Sequence, residues 1–141
     1  MGQHFITSND VEPGSFPWCT TETLSNEALT GAERLMLVRA TFPAGDAHNF
    51  HKHPEREEII YVLSGRAEQW VGQEKQILGP GEIAHIPRDI PHATCNPFDE
   101  ELTILAILSP VDAEGDFTVD VSNEEPWYTI CPPIRYAAGA D

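Results

Sequence analysis

The sequence predicts an all-β domain, a sandwich or closed barrel built from short strands. Three observations lead there. Apolar residues alternate at period 2 from position 36 onward, as they do along a pleated strand with one buried face. Apolar runs of strand length recur after that point, each closed by Gly, Pro or acidic residues. The 10 glycines and 12 prolines among 141 residues favour turns over helix, Pro exceeding its average share of roughly 5%.

Taken in order, residues 1–31 hold turn formers and caps (Ser8, Asn9, Asp10, Pro13, Gly14) with scattered apolar side chains, which predicts an extended arm with short strands. Met36, Val38, Ala40 and Phe42 then share one strand face, and Pro43, Ala44 and Gly45 end it. Further strands are expected at 58–63, 66–71, 75–78, 83–86, 92–95 and 102–108. The closing stretch mixes acidic residues with Trp127, Tyr128, Ile130 and Tyr136, aromatic and apolar groups that need a surface, either the barrel or a partner subunit. The whole reads as one domain, with a barrel at about 34–109, an arm at 1–33 and a tail at 110–141, and with no internal repeat.

Charge narrows the partners. Asp and Glu number 23 against 8 Lys and Arg, a formal net charge of −15, and a field of that sign repels nucleic acid and anionic membrane surfaces. No apolar run approaches the roughly 18 residues of a membrane span. The start lacks the basic and apolar regions of a secretory signal, and Gly2 fails the myristoylation pattern because position 6 is Ile. Cys19, Cys95 and Cys131 are odd in number and widely spaced, which indicates neither a disulfide framework nor a zinc ribbon. A reduced, cytoplasmic setting is expected.

The chemistry concentrates in histidines. His51 and His53 are two apart, so a strand places both imidazoles on one face. A polar turn at 54–57 leads into the next strand, and a hairpin there brings Glu58 beside them. Glu57 is the rival carboxylate, but adjacent strand residues face opposite ways and only one can point inward. Further on, Pro87 and Pro91 frame a turn that delivers His92, a third imidazole. Three imidazoles and one carboxylate suit Fe, Mn, Ni, Zn or Cu, and are too rich in nitrogen for Ca or Mg.

The spacing Gly45, His51, His53, Glu58, Gly65 resembles the first motif of the cupin superfamily at every position. Gly81, Pro87, Asp89, His92 and Asn96 resemble the second, with Asp89 where the family has Gly. Asp tolerates left-handed backbone better than most residues, so the turn should survive. The resemblance is to small single-domain microbial cupins and covers roughly residues 34–109. It implies a double-stranded β-helix, or jelly roll, with His51, His53, Glu58 and His92 as ligands of one divalent transition metal ion inside.

Strand parity extends the site. Asn49 shares parity with His51, Gln69 lies on the more apolar face of its strand, and Thr94 shares parity with His92, making these three the candidates for substrate contact. By the same parity His48 faces outward and Cys95 points away from His92 as a small packing residue, while His85, in a short strand of open facing that ends at Pro87, is read as structural. Arg39 is read as a surface or interface residue. The cupin resemblance favours an enzyme acting on a small organic metabolite, a dioxygenase-type oxidoreductase first, with Glu58 as candidate proton acceptor. A metal-dependent isomerase, lyase or decarboxylase, or a non-catalytic metabolite- or sugar-binding cupin, is the alternative. The apolar, aromatic termini lead us to expect a homodimer.

Overall fold

A computed structural model describes residues 2–134, so Tyr136 and the rest of the last seven positions lie outside the described residues. The strands form two antiparallel sheets facing each other. The first sheet runs β1(Glu12–Phe16), β2(Cys19–Ser25), β3(Met36–Phe42), β10(Leu102–Ser109), β5(Glu57–Ser64), β8(Ile83–Ile86). The second runs β11(Val119–Asp120), β4(Ala47–Lys52), β9(His92–Cys95), β6(Ala67–Val71), β7(Glu74–Leu78). Single-turn helices α1(Glu27–Thr30) and α2(Trp127–Ile130) lie outside the strand order, and no helix among the described residues is long and apolar enough to cross a membrane. The pattern is a double-stranded β-helix, in which the strands from β3 onward alternate between sheets except at the β6–β7 hairpin, and most backbone groups find a ladder partner.

Period-2 alternation gives each sheet an inner face. Phe42, Ile60, Val62, Ile86, Leu102 and Ile104 fill one end of the interior and are almost fully buried. Each such side chain contributes about 1.5–3 kcal/mol by leaving water. The other end of the interior stays open and carries the polar cluster described below. The arm does not trail away from the barrel: β1 and β2 form a hairpin that extends the first sheet through β3 and walls the open end.

The second sheet also buries its outer face. Ala47, Phe50, Ala93 and Cys95 meet Val121, Trp127, Ile130 and Ile134 there, and Phe50 stacks on Trp127 at 4.9 Å between ring centroids. The tail therefore packs on its own barrel, which gives its aromatics the surface they need.

Two turns carry backbone that most residues avoid. Gly65 has φ +80°, and a Cβ there would collide with the carbonyl oxygen of Glu101. Asp89 has φ 67°, the left-handed geometry that Asp accepts at moderate cost, and its carboxylate pairs with Lys52 at 3.3 Å. Gly65→Ala is expected to cost about 1–3 kcal/mol, read as a lower urea midpoint at unchanged slope. Asp89→Val should lose a comparable amount and Asp89→Gly should not, and equal midpoints for all three variants would refute the backbone argument.

Candidate metal centre

His51 lies on β4 opposite His92 on β9, His53 follows one residue after the end of β4, and Glu58 is the second residue of β5. Three imidazoles thus come from one side of the barrel, and the carboxylate closes on them from the other sheet. The four donor atoms lie within 4.8 Å of one another. Glu58 Oε1 stands 3.0 Å from His92 Nε2 and 3.2 Å from His53 Nε2. All four residues are buried. Glu57, one residue earlier, points out to solvent and pairs with exposed His85 at 2.8 Å, as strand alternation requires.

Each ring is held the same way. The Nδ1–H of His51 donates to the Asn49 carbonyl at 2.7 Å, that of His92 to the Ile90 carbonyl at 2.9 Å, and that of His53 to the Phe117 carbonyl at 2.8 Å. A carbonyl only accepts, so Nδ1 is the protonated nitrogen in all three, and each neutral ring presents its Nε2 lone pair to the interior. With neutral rings, Glu58 Oε1 and His92 Nε2 are buried without a hydrogen-bond partner, a state that is costly in a low-dielectric interior.

One remedy is a proton on Nε2 of His53. Burial pushes Glu58 up, but hydrogen bonds from His53 and His92 hold it at about 2. Burial likewise pulls His53 down, and its hydrogen bond to Glu58 and that residue's charge outweigh the pull and raise it. The remedy fails at His51, which burial and the neighbouring His48 and His92 keep well below the usual imidazole range. Its Nε2 therefore stays an unprotonated donor. A divalent transition ion satisfies all four donors together, and the donor set fits one.

The cluster forms one wall of a cavity of about 430 Å³. Phe42, Ile60, Ile104 and Leu108 make an apolar floor, and Phe16 and Trp18 from the β1–β2 hairpin stand at its edge. Among its described lining residues there is no Lys or Arg.

Two parity readings are corrected here. His48 does not face outward: it lines the cavity, stacks on His51 at 3.5 Å between ring centroids, and stacks on its other side against Trp18 at 4.4 Å. Burial, then the nearby His92, pushes its pKa down to about 3. Asn49 does not reach the cavity: its amide donates to the Ile134 carbonyl at 3.1 Å and accepts from the Ile134 N–H at 3.0 Å, on the outer face. The cause is a β-bulge. His48 pairs with Thr94 and His51 with His92, so three steps on β4 match two on β9, and the extra residue reverses parity.

Thr94 lines the cavity. Gln69, its register partner on β6, is buried behind it and accepts from the Thr94 hydroxyl at 2.7 Å. Arg39 pairs with Glu22 at 2.7 Å and is part exposed. The sequence reading missed Arg56, which is 4% exposed. Its Nη2 donates to the Val111 and Ala113 carbonyls at 3.0 and 2.7 Å, and its guanidinium lies 4.2 Å from the centre of the Phe117 ring. That anchors the loop whose Phe117 carbonyl orients His53.

Arg56→Met, which keeps the stem and removes the guanidinium, should therefore weaken Zn(II) binding at the cluster by roughly 10–100-fold, the usual effect of losing a group that orients a ligand. Competition with a chromophoric chelator reads this, with circular dichroism as the check on folding. Unchanged affinity in a folded variant would remove Arg56 from the site.

A relative described as polyketide synthase CurC, from Streptomyces cyaneus, is 29% identical over 111 residues, 79% of this chain and 72% of that protein. The crystal structure of the DMSP lyase DddQ from Ruegeria pomeroyi superposes with a TM-score of 0.64 at 30% identity, covering 87% of this chain and 62% of that one. Quercetin 2,3-dioxygenase from Bacillus subtilis is 29% identical over 90 residues, 64% of this chain but 26% of that protein. The family model of the cupin domain matches residues 38–108, a span that contains both histidine motifs, the bulged β4 and Glu58, and the chain belongs to the cupin family.

Proposed function

We propose that this cupin is a metal-dependent enzyme acting on a small organic metabolite, with His51, His53, Glu58 and His92 holding one divalent transition ion. The observation that carries the reading is the convergence of three Nε2 lone pairs and an unpartnered Glu58 oxygen in the wall of an apolar cavity. Four protein ligands leave two positions of an octahedron open, where a bound ion supplies Lewis acidity or, as Fe, Mn, Ni or Cu, redox chemistry.

The chain's own residues define what enters. With no cationic side chain among the described lining, only a ligand whose body is apolar and whose oxygen or similar donors sit at one end matches the wall. The apolar floor excludes water, Thr94 offers a hydroxyl beside His92, and Glu58 is positioned to accept a proton at Oε1. Dioxygenase-type chemistry fits this best, since it asks for redox capacity and a dry site rather than for a set of acids and bases. The name of the B. subtilis relative supports that reading, and the name of the R. pomeroyi relative supports lyase chemistry as its rival within the same site.

A metabolite-binding role is the second reading. Apart from the four ligands, the described cavity wall holds two titratable side chains, His48 and Cys19, and burial suppresses the charged form of each. Neither is equipped for strong general acid or base work. Tight metabolite binding by calorimetry with no product by mass spectrometry would select this reading.

Elemental analysis of the protein after incubation with each candidate ion should find about one ion per chain, and His92→Ala should abolish it while the fold is kept. The Fe(II)-loaded protein should consume oxygen with a member of a panel of phenolic, enolic and polyketide-type compounds. Failure to retain any of Fe, Mn, Ni, Cu or Zn would overturn the proposal outright. We also propose a homodimer, on the exposure of Phe5 and Phe16 in the arm (84% and 55%). Light scattering should return twice the 15.6 kDa chain mass, and the monomer mass would refute it.

A further inference from the structure

Cys95 lies on the face of β9 opposite the cavity, buried among the residues that receive the tail. Its neighbour there is Cys131, the residue that ends α2. Both are free thiols, and their sulfur atoms and a Glu68 carboxylate oxygen lie within 4.8 Å of one another. They are 36 positions apart in sequence, so the tail's packing is what brings them together.

That packing grips the chain on both sides of Cys131. Trp127 and Ile130 press on the Phe50 surface before it, and Asn49 clamps both backbone groups of Ile134 after it. The Glu68 carboxylate is itself oriented, accepting from the Trp70 indole N–H at 3.2 Å. The sulfur atoms lie within 4.8 Å of each other, and the interaction between the thiols lowers Cys131 and raises Cys95, which favours Cys131 as the attacking member. Cys131 is half-exposed while Cys95 is buried, which gives the thiolate the access that an oxidant needs.

We propose that Cys95 and Cys131 form a hydroperoxide-sensitive pair that closes into a disulfide, fastening the tail covalently to the strand that carries His92 and Thr94. The Cys131 thiolate attacks the peroxide oxygen, the O–O bond breaks, and hydroxide leaves to become water on taking up a proton. The Cys131 sulfenic acid so formed is then attacked at sulfur by Cys95, which gives its proton to Glu68. The S–O bond breaks, and the departing hydroxide leaves as water with that proton. Two thiols lose two electrons and two protons, and one hydrogen peroxide is reduced to two waters. Closing so long a loop restrains the unfolded chain, and the disulfide should raise the melting temperature by roughly 5–10 °C.

The test uses the full chain as purified, treated with hydrogen peroxide and, separately, with diamide, an azo oxidant that takes two electrons from a dithiol without metal chemistry. The expected result is loss of two of the three titratable thiols, a peptide pair containing Cys95 and Cys131 in a non-reducing digest, and full reversal by dithiothreitol. Cys19→Ser should still form the link, whereas Cys95→Ser and Cys131→Ser should not. Cys131→Ala serves as a second variant at the half-exposed position. Three thiols surviving both oxidants, a link to Cys19 or between chains, or sulfinic acid on Cys131 without a link would each overturn the proposal. So would Zn(II) binding that is lost in both cysteine variants, with no link in its absence, which would make the trio a soft cation site.

Discussion

Three carbonyl oxygens govern the candidate centre. The backbone at Asn49, Ile90 and Phe117 takes the Nδ1–H of each imidazole, and this decides which nitrogen faces inward before any ion or substrate is considered. Two of these carbonyls lie two residues before their own histidines, so local backbone shape sets them. The third comes from 64 residues further along the chain, which makes His53 dependent on a distant loop. Arg56 closes that dependence by tying the loop to the turn that follows His53. A guanidinium that buried would be costly on its own, and here Nη2 is held by two carbonyls and the group's face by the Phe117 ring, while Nε and Nη1 are buried without a hydrogen-bond partner.

Strand alternation made much of this legible from the residues. The period-2 pattern at Met36, Val38, Ala40 and Phe42 marked β3, and the same parity separated Glu58 from Glu57 and Cys95 from His92, all of which the backbone obeys. Asp89 at positive φ matches the expectation that the turn before His92 tolerates Asp. Parity misled at one place, β4, because the bulge between His48 and His51 inserts a residue that no local composition announces. The same event brought His48 into the cavity and sent Asn49 out of it. Arg56, Phe117 and the Cys95–Cys131 contact were out of reach for another reason, since each depends on where the 111–134 segment lands on the barrel, and short-range pattern holds no information on that.

The second sheet divides its labour by face. Along β9 the order His92, Ala93, Thr94, Cys95 alternates between cavity and tail, so the strand that supplies a candidate ligand is also the one on which the tail rests. Phe50 does the same on β4, lying one residue before His51 and stacked under Trp127. Displacing the tail would expose Phe50, Ala93 and Cys95 to water and loosen the two strands that place His51 and His92. The aromatic and apolar residues that looked surplus to a small barrel are what cover the outer face of its second sheet.

Charge completes the selection. The chain carries −15 overall, while the cavity wall holds a single carboxylate and no fixed cation among its described residues. A divalent ion bound by Glu58 and three neutral imidazoles would leave one net positive charge at the end of an otherwise apolar chamber. Such a site would stabilise one negative charge at the ion, as on the phenolate or enolate of the proposed function, and would leave a second anionic group unpaired. The acidic exterior discriminates in the same direction by repelling multiply charged anions at range. With an ion bound, selection would therefore act by shape and apolar character at the floor and by a single charge at the wall, since every Lys and Arg stays outside the described lining.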